Sequence, residues 1–203
     1  PNGNKKPAHD SRCPVQTIEA SDNGYVISAK DSIYNCEKCI VSVGRSGSKW
    51  METVCDELNI STESTRVDIG VRVEVRNEVM EKVNEVLYES KLIGYPKPFK
   101  NKVRTFCMNP RGVVVSENTN GIVTVNGHSY NDPNLYTNNT NFALLVSNSF
   151  TEPFKSSNEY GESIARIANV LGDGKPIIQS LHDLKKGRRS ECKRINKGFI
   201  EPT

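Results

Sequence analysis

Residues 66 to 75 read RVDIGVRVEV, and in them Val67, Ile69, Val71, Val73 and Val75 alternate with Asp68, Arg72 and Glu74. Side chains along an extended chain point to opposite faces in turn, so this stretch predicts a strand that is buried on one face. Asn77 follows and is placed to cap a helix carrying Val79, Val83, Val86 and Leu87. The prolines of GYPKPFK, residues 94 to 100, end any helix there.

Residues 100 to 132 hold three strand-like runs separated by turn signals. Lys102 to Met108, Val113 to Glu117 and Ile122 to Asn126 are joined by NPRG and NTNG, which predicts a three-stranded meander. A polar loop spans residues 129 to 141, and FALLVSNSF reads as a further strand. The segment SNEYGESIARIANVLGDG predicts a helix with Tyr160, Ile164, Ile167, Ala168 and Leu171 as its stripe and Gly172 at its end. A shorter helix, Ile177 to Leu184, precedes the basic run KKGRRSECKR.

The first 60 residues have a different texture. VQTIEA and YVISA flank SDNG, where Asn23-Gly24 predicts a hairpin. Cys39 to Val43, CIVSV, is a continuous apolar and β-branched run of the kind a fully buried strand shows. It leads through GRSGS into a helix from Lys49 to about Asn59, with Trp50, Val54 and Leu58 on one face and Ser48 as N-cap. Together these elements predict an α+β chain, with a mixed or antiparallel sheet and several flanking helices.

The 203 residues suffice for one large domain or one and a half small ones. A net charge of +3 is too small to suggest nucleic-acid binding, and no apolar run reaches the ~20 residues that span a bilayer. The chain starts at Pro1 with no methionine before Met51, and it carries no signal-peptide pattern, so it reads as a piece of a longer or processed protein. Six irregularly spaced cysteines predict reduced thiols and a cytoplasmic location. Asn59 and Asn138 begin glycosylation sequons of a frequency expected by chance.

Several motifs invite chemistry. Cys36 and Cys39 have redox or half-zinc spacing, but no second ligand pair follows and the motif runs into a strand, which favours incidental cysteines. Cys107, His128 and Asp132 could form a nucleophile, a base and its orienter. Regular alternation would put Val103, Thr105 and Cys107 on one face and Arg104, Phe106 and Met108 on the other, so Arg104 is not the cation beside the thiol. That favours Cys107 as a small buried residue. Gly127, beside His128, permits a sharp turn or the close approach of a ligand. The basic run, with Arg188, Arg189 and Arg194, reads first as a solvated helix end and second as a binding surface for phosphates. SVGRSGS can turn backbone N–H groups toward an anion at a helix start, although it is neither a complete dinucleotide fingerprint nor a P-loop.

Six strings occur in one order: CIVSVGRSGSKWM, VDIGVRVEV, VRTFCMNPRGVVVSE, GIVTVNGHSY, TNFALLVS and DLKKGRRS. From about residue 33 onward they resemble the bacterial family of uncharacterised FAD-dependent dehydrogenases, which are long two-domain flavoproteins. The resemblance implies that Gly44, Arg45, Ser46 and Gly47 form a turn that returns to FAD. It further implies that residues 1–47 belong to a few strands of an α/β FAD-binding domain and 48–203 to an inserted domain that shapes the substrate pocket. Arg104, Cys107, Asn126 and His128 are then expected toward that pocket, with an unknown small-molecule substrate and NAD(P)H as a candidate electron donor. The chain departs from the family in lacking the N-terminal glycine fingerprint and the C-terminal segment that closes over the flavin. It also reads Asn109 where the family often has a second cysteine, so the resemblance does not extend to a redox pair. The isolated chain is accordingly expected to be inactive and to hold no FAD tightly. A Cys107/His128 thiol hydrolase and a non-enzymatic binding module using the basic run are the alternatives.

Overall fold

A computed structural model describes residues 13–30, 32–151, 153, 156–191 and the backbone of 200–202. The chain is α+β and forms two compact units, Pro1–Glu63 and Ser64–Thr203.

In the first unit β1 (Val15–Ser21), β2 (Gly24–Ala29) and β3 (Ser32–Cys36) make an antiparallel sheet in sequence order. The hairpin predicted at Asn23-Gly24 forms, with Ser21 paired to Gly24. Gly24 has φ of 133°, and a Cβ there would run into the Cys36 carbonyl. A single turn of 3-10 helix, Arg45–Gly47, leads into α1 (Ser48–Glu57). Ser48 is the first helical residue and Gly47 takes the cap position. Trp50 Nε1 donates to the Gln16 carbonyl at 3.4 Å, and Ile18, Ala29, Val54 and Cys55 are buried. α1 packs on β1, and this compact unit ends at Glu63.

The run CIVSV is not a strand here: residues 37 to 43 are irregular and Ile40 is 94% exposed. A strand needs a neighbour for its N–H and C=O groups, and residues 39 to 43 pair with neither edge of the β1-β2-β3 sheet. Apolar, β-branched composition alone cannot supply that partner.

The second unit begins with β4 (Val67–Arg76) and α2 (Asn77–Asn84), followed by β5 (Ile93–Gly94), β6 (Val103–Asn109), β7 (Val113–Thr119), β8 (Ile122–His128) and β9 (Asn139–Asn148). Then come α3 (Ser157–Leu171), α4 (Leu181–Lys185) and β10 (Ile200–Pro202). Four strands form an antiparallel sheet in the order β4-β9-β6-β5, and a second sheet runs β10-β7-β8 with β10 parallel to β7. The pleat of β4 forms, but its valine face is not buried as expected, and Val71 is 62% exposed. Ile69, Val71 and Val73 pair with Val146, Leu144 and Phe142, while Arg72 and Glu74 pair with Ala143 and Asn141 on the other face.

The predicted meander divides between the two sheets. β7 and β8 form the expected hairpin, closed by Asn120 (φ 52°) and Gly121 (φ 80°). β6 instead pairs with β9 and β5. After β6 the chain turns through Arg111, at φ 53°, and Gly112, where a Cβ would meet the His128 carbonyl. That close approach carries the chain into the second sheet, where Val113, Val114 and Val115 are buried.

Three helix expectations are also revised. Asn77 does not cap α2; its amide donates to the Thr137 carbonyl at 2.9 Å, and its Oδ1 accepts from Thr140 Oγ1 at 2.9 Å. The helix near residue 180 begins later than Ile177, because Ser180 accepts from the Asp183 backbone N–H at 3.1 Å and starts α4. α3 ends at Gly172 as predicted, but the whole predicted stripe, Tyr160, Ile164, Ile167, Ala168 and Leu171, is exposed. The helix meets β4 through Gly161, where a Cβ would lie 2.9 Å from Val67 Cγ2. Asn169 joins it to Val123 through two 2.7 Å hydrogen bonds.

Candidate functional site

Regular pleating fails at one point in β6. The register with β9 shifts between Phe106 and Asn109, and Cys107 takes a φ of 48°. This is a β-bulge, which adds a residue and re-aims the side chains that follow. Met108 therefore turns inward on the Thr105 side: Thr105 Oγ1 donates to the Ser90 carbonyl at 3.0 Å, and Ser90 Oγ donates to Met108 Sδ at 3.4 Å. The alternation that placed Cys107 with Thr105 ends here. Cys107 is half-buried, and its backbone N–H donates to Glu89 Oε1 at 3.2 Å.

The carbonyl of Cys107 is held from β4. Arg72 Nη2 donates to it at 2.7 Å, and Arg72 Nε and Nη2 donate to Asn141 Oδ1 at 2.9 and 2.7 Å. Asn141 is fully buried, and its Nδ2 has no partner among the described residues. Burial pulls the Arg72 guanidinium below its ordinary pKa, partly offset by its bond to Cys107. A guanidinium so bonded stays charged at neutral pH.

The thiol lies between two amides. Asn109 Nδ2 donates to the Cys107 carbonyl at 2.8 Å and approaches Sγ at 3.5 Å, while the thiol faces Asn126 Oδ1 at 3.9 Å. Asn126 Nδ2 donates to Glu117 Oε1 at 2.8 Å, and Ser129 Oγ donates to Asn109 Oδ1 at 3.3 Å. Gly127 closes the cluster, since a Cβ there would collide with Arg72 Nη2, Asn109 Nδ2 and Asn141 Oδ1. Strands from both sheets thus converge on one cation and one thiol. The arrangement fixes the bulge and presents Cys107 Sγ beside hydrogen-bonding amides.

Of the four expected pocket residues, the structure brings Cys107 and Asn126 together. Arg104 stands elsewhere on the polar face, bonded to Asp68 Oδ2 at 2.7 Å and stacked over Phe106 at 4.8 Å. Asp68 also accepts from Ser147 Oγ at 2.6 Å, and that bond, with Arg104, holds its carboxyl below the ordinary aspartate range. His128 is exposed, meets Tyr130 edge-on at 5.1 Å and makes no hydrogen bond to Cys107. Asp132 does not orient it; its carboxylate accepts from the Asn134 backbone at 2.9 Å and caps a short turn.

Sequence reasoning missed Arg72, Asn109, Glu117 and Asn141 as members of this cluster. The available signal was an arginine on the polar side of a strand, which is normally solvated. Only the second sheet, supplying Gly127, covers it.

Gly44, Arg45, Ser46 and Gly47 lie together at the start of α1. Gly44 has φ of 62°, and a Cβ there would meet open space. The first turn of α1 holds no acidic residue, and the Ser48 backbone N–H donates to the Arg45 carbonyl.

Cys36 and Cys39 are free, and burial, then Cys36, pushes the Cys39 thiol up. No three metal-ligating side chains cluster among the described residues. In the basic run, Arg188 Nε bonds Asp183 Oδ1 at 2.5 Å, and Ser190 Oγ donates to Asp183 Oδ2 at 2.9 Å. Arg194 and Cys192 lie outside the described residues. No helix among the described residues is long and apolar enough to cross a membrane. No protein-family model and no curated protein matches the chain.

Proposed function

We propose that this chain is the middle part of an FAD-dependent oxidoreductase of the dehydrogenase type. The observation that carries the reading is the single order of the six strings from CIVSVGRSGSKWM to DLKKGRRS. The turn at Gly44–Gly47, with Gly44 at positive φ and no acidic residue in the first turn of α1, is compatible with an anionic cofactor edge. When bound, the flavin supplies the hydride chemistry, and the protein supplies binding, orientation and electrostatics.

In this reading Gly44, Arg45, Ser46 and Gly47 are the cofactor-binding residues. Cys107, in the β6 bulge, and Asn126, on β8, are its candidate substrate-side residues. Arg72 is a positioning residue that acts through the Cys107 carbonyl. The substrate is a small molecule whose class the chain does not specify, and NAD(P)H is the candidate electron donor.

Neither alternative gains a specific observation. His128 makes no hydrogen bond to Cys107 and meets Tyr130 instead, and Arg188 is engaged by Asp183. Titration with FAD, followed by quenching of flavin fluorescence, tests the proposal. The 203-residue chain is expected to bind weakly, and the product of the complete reading frame tightly. Equally weak binding by both would overturn it.

A further inference from the structure

Cys36, the last residue of β3, and Cys39 have C-x-x-C spacing. In a continuous strand, three residues at ~3.3 Å each would hold them about 10 Å apart on opposite faces, beyond the ~7 Å Cα separation that a disulfide spans.

The structure does not continue the strand. β3 ends at Cys36, the chain bends at Glu37, and residues 38 to 43 are irregular. The bend is fixed from β2. A Cβ on Gly24 would lie 2.2 Å from the Cys36 carbonyl oxygen and 2.6 Å from Glu37 Cα, so the backbone crosses directly over that glycine. Residues 38 to 43 make no backbone hydrogen bond to the sheet among the described residues. Backbone pairing therefore does not hold Cys39 away from Cys36.

Both thiols are free and half-buried, within reach of a small oxidant or reductant. Burial, and after it the charge of Cys36, pushes the Cys39 thiol up, so the two sulfurs are in electrostatic reach of each other. No third metal-ligating side chain joins them among the described residues. The pair also opens no helix, so no helix dipole activates it for exchange with other proteins. Its chemistry is that of a bond within the chain.

We propose that Cys36 and Cys39 are a redox-sensitive dithiol that closes to a disulfide when hydrogen peroxide oxidises it. A four-residue turn brings its first and last Cα within about 7 Å, and the bend at Glu37 is where such a turn starts. The Cys36 thiolate attacks one peroxide oxygen. The S–O bond forms, the O–O bond breaks, and the leaving hydroxide takes the proton that Cys36 gave up, as water. The Cys39 sulfur then displaces the hydroxyl from the sulfenic acid. The S–S bond forms, the S–O bond breaks, and the hydroxyl leaves as water with the Cys39 proton. The bond ties the end of β3 to the segment that leads into α1, and the inference is independent of the flavin reading.

Mass spectrometry of the full chain tests it. The reduced, folded protein is treated with hydrogen peroxide, and remaining thiols are alkylated with iodoacetamide in urea. Trypsin cuts after Lys30, Lys38 and Arg45, so the two sulfurs fall on separate peptides, DSIYNCEK and CIVSVGR. The expected product is these two peptides joined, lighter than their sum by two hydrogens and separated again by dithiothreitol. Cys36→Ser and Cys39→Ser should each abolish it. In glutathione buffers the folded chain is expected to close at a ratio of GSH squared to GSSG about tenfold higher than the chain unfolded in urea, because the fold brings the sulfurs together.

Alkylation or over-oxidation of the two cysteines without a link would overturn the proposal. So would a link from either one to another cysteine. Equal closure in the folded and unfolded chains would show that spacing alone makes the bond, and would overturn it as well.

Discussion

Arg72 Nη2 donates to the backbone carbonyl of Cys107 at 2.7 Å, joining the polar face of β4 to the bulge in β6. The same nitrogen and Nε both donate to Asn141 Oδ1. Replacing Arg72 with methionine removes all three bonds. Asn109 still serves the Cys107 carbonyl, so the main loss is the buried acceptor of Asn141. Leaving that group unsatisfied is expected to cost about 2–3 kcal/mol, read from the urea unfolding curve of Arg72→Met. A loss below about 0.5 kcal/mol, the range of ordinary surface changes, would mean the network does not hold the bulge.

Gly127 tests the same cluster from the second sheet. Its Cα lies where any Cβ would strike the Arg72 guanidinium. Gly127→Ala should destabilise by roughly 1–3 kcal/mol through overpacking. Combining it with Arg72→Met should cost less than the sum of the two single changes, because the shorter side chain vacates the contact. Strict additivity in the double-mutant cycle would show that the two residues do not touch.

Asp183 gives a pH prediction. Its carboxylate accepts from Arg188 and Ser190, and its backbone N–H is capped by Ser180. The Arg188 bond is the largest influence and holds the folded pKa well below the ordinary 3.8. A depressed folded pKa means a contribution fully present above the unfolded value and lost as pH falls through the folded one. Wild type should therefore exceed Asp183→Asn in thermal midpoint at pH 7, and the gap should shrink steadily below pH 3.8. A gap that stays constant from pH 7 into strong acid would refute the assignment.

Arg104 should behave differently from Arg72. Its ion pair with Asp68 is partly solvated. Such pairs contribute at most about 1 kcal/mol, so Arg104→Gln should shift the unfolding free energy by no more than that. A loss of 3 kcal/mol or more, on the scale of a broken buried pair, would show that the Asp68 site is far drier than its exposure indicates.

What the sequence made legible was local. The strand at β4, the hairpin in SDNG and the β7–β8 turn depend on residues within a few positions of one another and form, although the valine face of β4 is not buried and the first hairpin turns at Asp22-Asn23. The Ser180-x-x-Asp183 start of α4 was equally local, a capping-box spacing that the longer helical reading overran. The bulge at Cys107 was not legible, because its supports, Arg72 and Asn141, arrive 35 and 34 residues away along the chain. Likewise, nothing within CIVSV says whether a neighbouring strand exists to pair with it. Cys107 and Asn126 are candidates through the family resemblance, whereas the cation beside them came from a strand face that reads as solvated.

The most direct test of the flavoprotein reading is the visible absorbance spectrum of the protein purified from the complete reading frame around this chain. The account predicts flavin bands that bleach when NADH or NADPH is added under anaerobic conditions. A colourless protein that remains so after incubation with FAD would contradict it.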